Sequence, residues 1–190
     1  RPAALVVADM PFMSYQAGVE DAVRNAGRFV QEAGADAVKL EGGERVAAAV
    51  RRIVEAGIPV MGHLGLTPQS VLVFGGYRVQ GRAEADRERL LREARLLEAC
   101  GCFAVVLEGI PASLGAAASR ELSIPTIGIG AGAGCDGQVL VSHDLLGLTQ
   151  GHVPKFVRRY ADVAGTVRDA FARYVADVKA RRFPSDEESY

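Results

Sequence analysis

The sequence predicts an α/β fold built on a parallel sheet. Three observations predict it. Short apolar runs rich in Val, Ile and Leu alternate with stretches of helical periodicity. Short Gly- and Pro-containing segments connect them, as strand-helix-strand units require. Three of the apolar runs also end in a carboxylate, at Asp9, Glu41 and Glu108. Acids delivered at the tips of separate strands describe the rim of an active site.

The elements follow in chain order. Ala4-Leu5-Val6-Val7-Ala8-Asp9 reads as the first strand, over 4–9, with a helical pattern over 15–33 behind it. A second strand, 35–41, closes on Val38-Lys39-Leu40-Glu41, and a helix is expected over 44–56. A third strand is expected over 58–62. Thr67-Pro68 then reads as a helix N-cap with Pro at the first helical position. The helix over 82–100 has the clearest pattern. Leu90, Leu91, Ala94, Leu96 and Leu97 form its apolar stripe, and Glu88 and Arg92 make a supporting pair one turn apart. Strands over 103–108, 125–130 and 138–142 complete the sheet, with helices over 112–121 and 143–147. Residues 154–182 read as a basic amphipathic helical segment, broken near Gly165, and 183–190 as a polar tail.

Composition bounds the function. The chain has 190 residues and a net charge of -1, which argues against nucleic acid or an anionic membrane surface as partner. No apolar run approaches the ~18 residues that span a bilayer. No signal peptide is visible, so a cytoplasmic location is expected. Cys100, Cys102 and Cys135 are odd in number and read as buried structural thiols.

The chemistry centres on Lys39-Leu40-Glu41-Gly42-Gly43. Residues two apart on a strand share a face, so Lys39 and Glu41 point one way while Val38 and Leu40 point the other. A Lys and a Glu facing an interior are costly unless paired, metal-bound or used. Only three lysines stand against nineteen arginines, so Lys39 is not background composition. Its charge beside Glu41 is expected to depress the Glu41 pKa. Glu108 shares its face with Ala104 and Val106, shows no partner in sequence, and is expected to have a raised pKa suited to a base. A buried ion pair or a salt bridge at the strand mouth would explain the same residues structurally.

These residues lie within longer motifs. They include Val7-Ala8-Asp9-Met10-Pro11-Phe12-Met13-Ser14-Tyr15, Val38-Lys39-Leu40-Glu41-Gly42-Gly43 and Met61-Gly62-His63-Leu64-Gly65-Leu66-Thr67-Pro68-Gln69. Gly75-Gly76-Tyr77-Arg78-Val79-Gln80-Gly81-Arg82, Leu107-Glu108-Gly109-Ile110-Pro111 and Ile127-Gly128-Ile129-Gly130-Ala131-Gly132 follow in the same order. Together they resemble the ketopantoate hydroxymethyltransferase family, within the phosphoenolpyruvate mutase/isocitrate lyase-like superfamily. The resemblance implies a TIM (β/α)8 barrel. It also implies transfer of a hydroxymethyl group from 5,10-methylenetetrahydrofolate to 3-methyl-2-oxobutanoate, giving 2-dehydropantoate for pantothenate synthesis.

The same resemblance assigns roles. Asp9 and Glu41 are implied ligands of Mg2+ or a similar divalent cation. Asp9, Lys39 and His63 are implied to bind the 2-oxo acid, and Glu108 is implied to be the general base. The family forms homo-oligomers, often decamers. Its members open with two further strand-helix units, the second ending in a Gly-Asp-Ser motif. At roughly 30 residues per unit, 190 residues hold about six of eight units, so 1–190 is expected to be one barrel domain lacking the N-terminal two. The Gly128 to Gly134 loop is read as a close backbone approach to a bulky cosubstrate. Two other readings remain: a related Mg-dependent 2-oxo acid lyase or mutase, and an inactive truncated barrel.

Overall fold

The computed structural model describes residues 3–190; the first two residues of the expected 1–190 domain lie outside them. The chain divides into two compact units, one ending at Val139 and the other spanning Leu140–Tyr190.

The first unit is α/β. Its strands are β1 (Val7–Asp9), β2 (Ala37–Glu41), β3 (Val60–Gly65), β4 (Ala104–Glu108), β5 (Thr126–Ile129) and β6 (Gly137–Gln138). They form one sheet in the order β1-β2-β3-β4-β5-β6, each strand parallel to the next. Helices α1 (Val19–Gln31), α2 (Ala47–Glu55), α3 (Val71–Phe74), α4 (Glu84–Ala99) and α5 (Ala112–Glu121) fall between the strands. A sheet whose strands follow chain order is wound in one direction, as in a (β/α) barrel. A doubly wound sheet would reverse its order.

One face of the sheet makes the core. Val38, Leu40, Val60, Leu64, Val105 and Leu107 are buried there with Val50, Ile53, Leu90, Ala94, Leu97 and Leu114 from the helices. Gly62 lets α4 approach: a Cβ at that position would meet Leu97 Cδ1 at 2.7 Å. Alternation along each strand then sends Lys39, Glu41, His63 and Glu108 to the opposite face. The expected polar rim is therefore the direct complement of the apolar core.

The elements differ from the sequence reading mainly at their ends. β1 is short because its pairing with β2 begins at Val7. β3 runs past 62 because Met61 through Gly65 pair with Ala104 through Glu108. The expected helix over 15–33 starts only at Val19, and Tyr15 is buried in the preceding loop. The glycines of the 128–134 loop have a partner within this chain. A Cβ at Gly132 would meet Ala112 Cβ at 2.4 Å, and one at Gly134 would meet Ala116 Cβ at 2.6 Å. Their smallness seats the loop on α5.

The second unit holds α6 (Ser142–Leu145) and α7 (Val163–Lys179). Helix α7 is shorter than the expected 154–182 segment because Asp162 caps it: its carboxylate accepts from the Gly165 amide at 3.0 Å. Gly165 is the seat of that cap and not a break, since a Cβ there would lie 2.3 Å from the Asp162 carboxylate. Val167, Phe171, Tyr174, Val175 and Val178 leave an exposed apolar face on α7.

Candidate active site

The C-terminal ends of the first four strands bring five polar side chains together. Register explains the arrangement. Asp9 lies beside Lys39, Glu41 beside His63, and Gly65 beside Glu108. In a parallel sheet, such neighbours share a face.

His63 and Lys39 link the five. Lys39 Nζ lies 2.8 Å from Asp9 Oδ1 and 3.1 Å from His63 Nδ1. His63 Nδ1 is 3.8 Å from Glu41 Oε1, and His63 Nε2 is 3.3 Å from Glu108 Oε2. The imidazole is only 3% exposed. An ammonium has protons to donate and no lone pair, so Nδ1 accepts from Lys39. The ring proton of the neutral imidazole then belongs on Nε2, an assignment made from its partners. Although Glu108 is near, Nε2 is a buried atom with no aligned hydrogen-bond partner. It is thus a donor lying near the carboxylate at the tip of β4, without a satisfied bond. A buried donor left in this state is costly unless something else completes it.

Glu41 is more deeply held than its sequence context implies. It is 7% exposed, and its Oε2 accepts from the Gln69 amide at 2.9 Å. Its carboxyl pKa is raised, first by burial; the Gln69 hydrogen bond, His63 and Lys39 pull the other way, and Asp9 adds to the rise. The expected depression by Lys39 is therefore overturned. Desolvation outweighs the ammonium, which contacts Asp9 and His63.

All five expected residues, Asp9, Lys39, Glu41, His63 and Glu108, thus sit in one linked cluster. The apolar neighbours of Glu108 had shown no partner for it; the polar group beside it is His63, from the adjacent strand, at 3.3 Å. His63 itself lies within β3 and not beyond its end. Two residues escaped the sequence reading. Tyr15 places its hydroxyl against the backbone of Glu41, accepting from the amide at 3.1 Å, and burial pushes its pKa to about 12. Gln69 accepts from Tyr15 Oη at 2.7 Å. The only signal for either was its place inside a long motif.

The donor set bears on a metal. Among the described residues, no group of three or more His, Cys, Asp or Glu side chains is arranged to hold an ion. Asp9 and Glu41 still offer hard carboxylate oxygens, and the Asp9 side chain is 56% exposed. Mg2+ commonly takes only one or two protein carboxylates and fills its other positions with water and substrate. The residues present fit an ion of that kind and not a closed structural site.

Comparison with known proteins identifies the family. The family model described as ketopantoate hydroxymethyltransferase matches residues 1–186. A 3-methyl-2-oxobutanoate hydroxymethyltransferase from Syntrophus aciditrophicus is 56% identical over 187 residues, covering 98% of this chain and 69% of the relative. One from Bradyrhizobium diazoefficiens, numbered 2 in its name, is 60% identical over 190 residues, covering 100% of this chain and 65% of the relative. In fold, the chain is similar to phosphonopyruvate hydrolase, with a TM-score of 0.53 at 14% identity, covering 96% of this chain and 66% of that one.

Proposed function

The chain belongs to the ketopantoate hydroxymethyltransferase family, and from that premise we propose that it transfers a hydroxymethyl group from 5,10-methylenetetrahydrofolate to 3-methyl-2-oxobutanoate. The observation that carries the reading is the linked cluster at the strand tips, with its incompletely paired His63 Nε2. We take the cluster to be part of a (β/α)8 barrel mouth, a position that hosts catalytic residues in enzymes of that fold.

A 2-oxo acid presents a carboxylate and a keto oxygen, and its C3 proton lies next to the ketone. In this reading Glu108 is the base that removes this proton. Lys39 has three donors, and two face Asp9 and His63. The third is free for a substrate oxygen. His63 Nε2 supplies a second donor, already desolvated, where negative charge develops as the enolate forms. The enolate carbon then bonds to the folate-borne methylene carbon, and water supplies the hydroxyl oxygen as both methylene C–N bonds break. The two folate nitrogens take up the C3 proton and the remaining water proton, and tetrahydrofolate leaves.

Asp9 and Glu41 would hold Mg2+. When bound, that ion supplies Lewis-acid polarisation of the keto group, worth several kcal/mol. The chain's own part is to fix the two carboxylates. Glu41 is anchored through the Gln69 amide, and Asp9 is held against Lys39. A homo-oligomeric state and a cytoplasmic location belong to the same proposal. The exposed apolar face of α7 supports the first, and no described helix is long and apolar enough to cross a membrane.

The test separates proton removal from transfer. Exchange of the C3 hydrogen of 3-methyl-2-oxobutanoate with heavy water is followed by NMR, with and without the folate. The complete polypeptide should exchange that hydrogen and form product only when methylenetetrahydrofolate is added. Glu108→Gln should stay folded by circular dichroism and lose roughly 10²–10⁴-fold in exchange rate. Turnover of a 2-oxo acid without folate would support the lyase or mutase reading instead.

A further inference from the structure

The structure assigns Gln69 as a positioning residue: its side-chain amide braces the loops after β1 and β3 against the tip of β2, and so fixes where Asp9 and Glu41 stand relative to each other. This inference rests on the proposed function only for its kinetic consequences.

Five contacts carry it. Gln69 Nε2 donates to the carbonyl of Met10 at 2.8 Å, and Met10 directly follows Asp9. Gln69 Oε1 accepts from Tyr15 Oη at 2.7 Å and from Gln16 Nε2 at 3.1 Å. Tyr15 Oη in turn accepts from the Glu41 amide at 3.1 Å. The Gln69 backbone amide donates to Glu41 Oε2 at 2.9 Å. One residue from the loop after β3 therefore grips the tips of two neighbouring strands.

The chemistry needs both ends of an amide. Met10 offers a carbonyl and requires a donor, while Tyr15 offers a proton and requires an acceptor. The Gln side-chain amide supplies both from one planar group, and Asn is one methylene shorter. The Tyr15 hydroxyl has a single proton and donates it to Gln69, so the lone pair facing the Glu41 amide stays an acceptor. The chain of bonds has one consistent direction, from Tyr15 to Gln69 and from Gln69 to Met10. Tyr15 and Met10 are 3% and 0% exposed, so water is poorly placed to replace a lost partner.

Nothing in this assignment has Gln69 touch substrate. Its effect is on geometry, and a displacement of about 1 Å at a catalytic group can cost 10²-fold in rate. Loss of the brace should therefore lower kcat more than it raises KM.

The experiment compares the complete polypeptide with Gln69→Met and Gln69→Glu. The Met variant keeps the length and removes both polar ends; the Glu variant keeps the acceptor for Tyr15 and removes the donor for Met10. Both should lose at least about tenfold in kcat with KM for the 2-oxo acid changed by less than about threefold. Gln69→Met should also speed backbone amide exchange at Glu41, while amides of β4 keep wild-type protection. The exchange measurement stands even if the wild type proves to have no folate-dependent activity, so the brace and the proposed function can fail separately. A Gln69→Met protein with wild-type protection at Glu41, or with kcat within twofold of wild type in an active preparation, overturns the assignment. So does a uniform loss of protection across the sheet, because a merely structural residue would produce it.

Discussion

Lys39 Nζ stands 3.1 Å from His63 Nδ1, an ammonium facing an imidazole nitrogen on the adjacent strand. Two donors cannot face each other at that distance without repulsion, so the contact selects the imidazole tautomer. It leaves the ring proton on Nε2, the nitrogen 3.3 Å from Glu108 Oε2. The lysine thus sets the electrostatics of a group it does not itself charge. A second-strand cation facing a buried histidine gives the cluster a defined polarity, with the carboxylates at the strand tips and Lys39 and His63 behind them.

Lys39→Met tests that relationship. The substitution keeps the aliphatic stem and removes the donor. His63 Nδ1 then lacks a hydrogen bond from Lys39, and the ring is free to exchange its proton between the two nitrogens. Nitrogen NMR of the imidazole should report the Nε2-protonated form in the wild type and a mixture in the variant. The unpaired acceptor should lower stability by about 1–3 kcal/mol, read from urea unfolding. A wild-type ring spectrum in the variant would show that Lys39 does not set the tautomer.

Gly65 places Glu108. Its φ is +93°, and a Cβ there would lie 2.2 Å from the Glu108 carbonyl oxygen and 2.8 Å from Ile110 Cγ2. The same carbonyl accepts from the Leu66 amide at 2.7 Å, so the two strand ends are locked at close range. Gly65→Ala meets both a disfavoured backbone conformation and a backbone atom. Its expected cost is roughly 2–5 kcal/mol in urea unfolding, from strain and overpacking together. An alanine variant with near wild-type stability would mean that the strand ends separate easily.

The sequence was most informative where one strand sufficed. Alternation put Lys39 and Glu41 on one face and Val38 and Leu40 on the other, and the strand tips at Asp9, Glu41 and Glu108 were readable directly. What stayed hidden depends on partners far along the chain. Gln69 meets Tyr15 across 54 positions and Glu41 across 28, and no local pattern encodes such a pairing. The end of β3 was obscured by Gly62 and Gly65, poor strand formers that are needed for close packing against Leu97 and Glu108. The helix expected from 154 failed for a different reason. Its amphipathic pattern is real, but Asp162 caps the chain at Val163 and fixes the start. The pKa direction at Glu41 was misread because Lys39 is visible in sequence and burial is not.

That burial makes Glu41 a pH-dependent liability in the metal-free protein. Its folded-state carboxyl pKa lies above the ordinary value, chiefly through desolvation. The native state therefore holds this proton more tightly than the unfolded chain does. By linkage, the contribution to stability is fully present below the unfolded pKa and is lost as pH rises through the folded one. At neutral pH the native protein carries the cost of a buried carboxylate. Glu41→Gln removes the charge and can keep an acceptor oxygen for the Gln69 amide. With chelator present, thermal unfolding should place Glu41→Gln above the wild type at neutral pH, and the difference should shrink as pH falls through the carboxylate range. A difference that grows on acidification would mean that the hydrogen bond from Gln69 and the nearby Lys39 and His63 outweigh desolvation at this site.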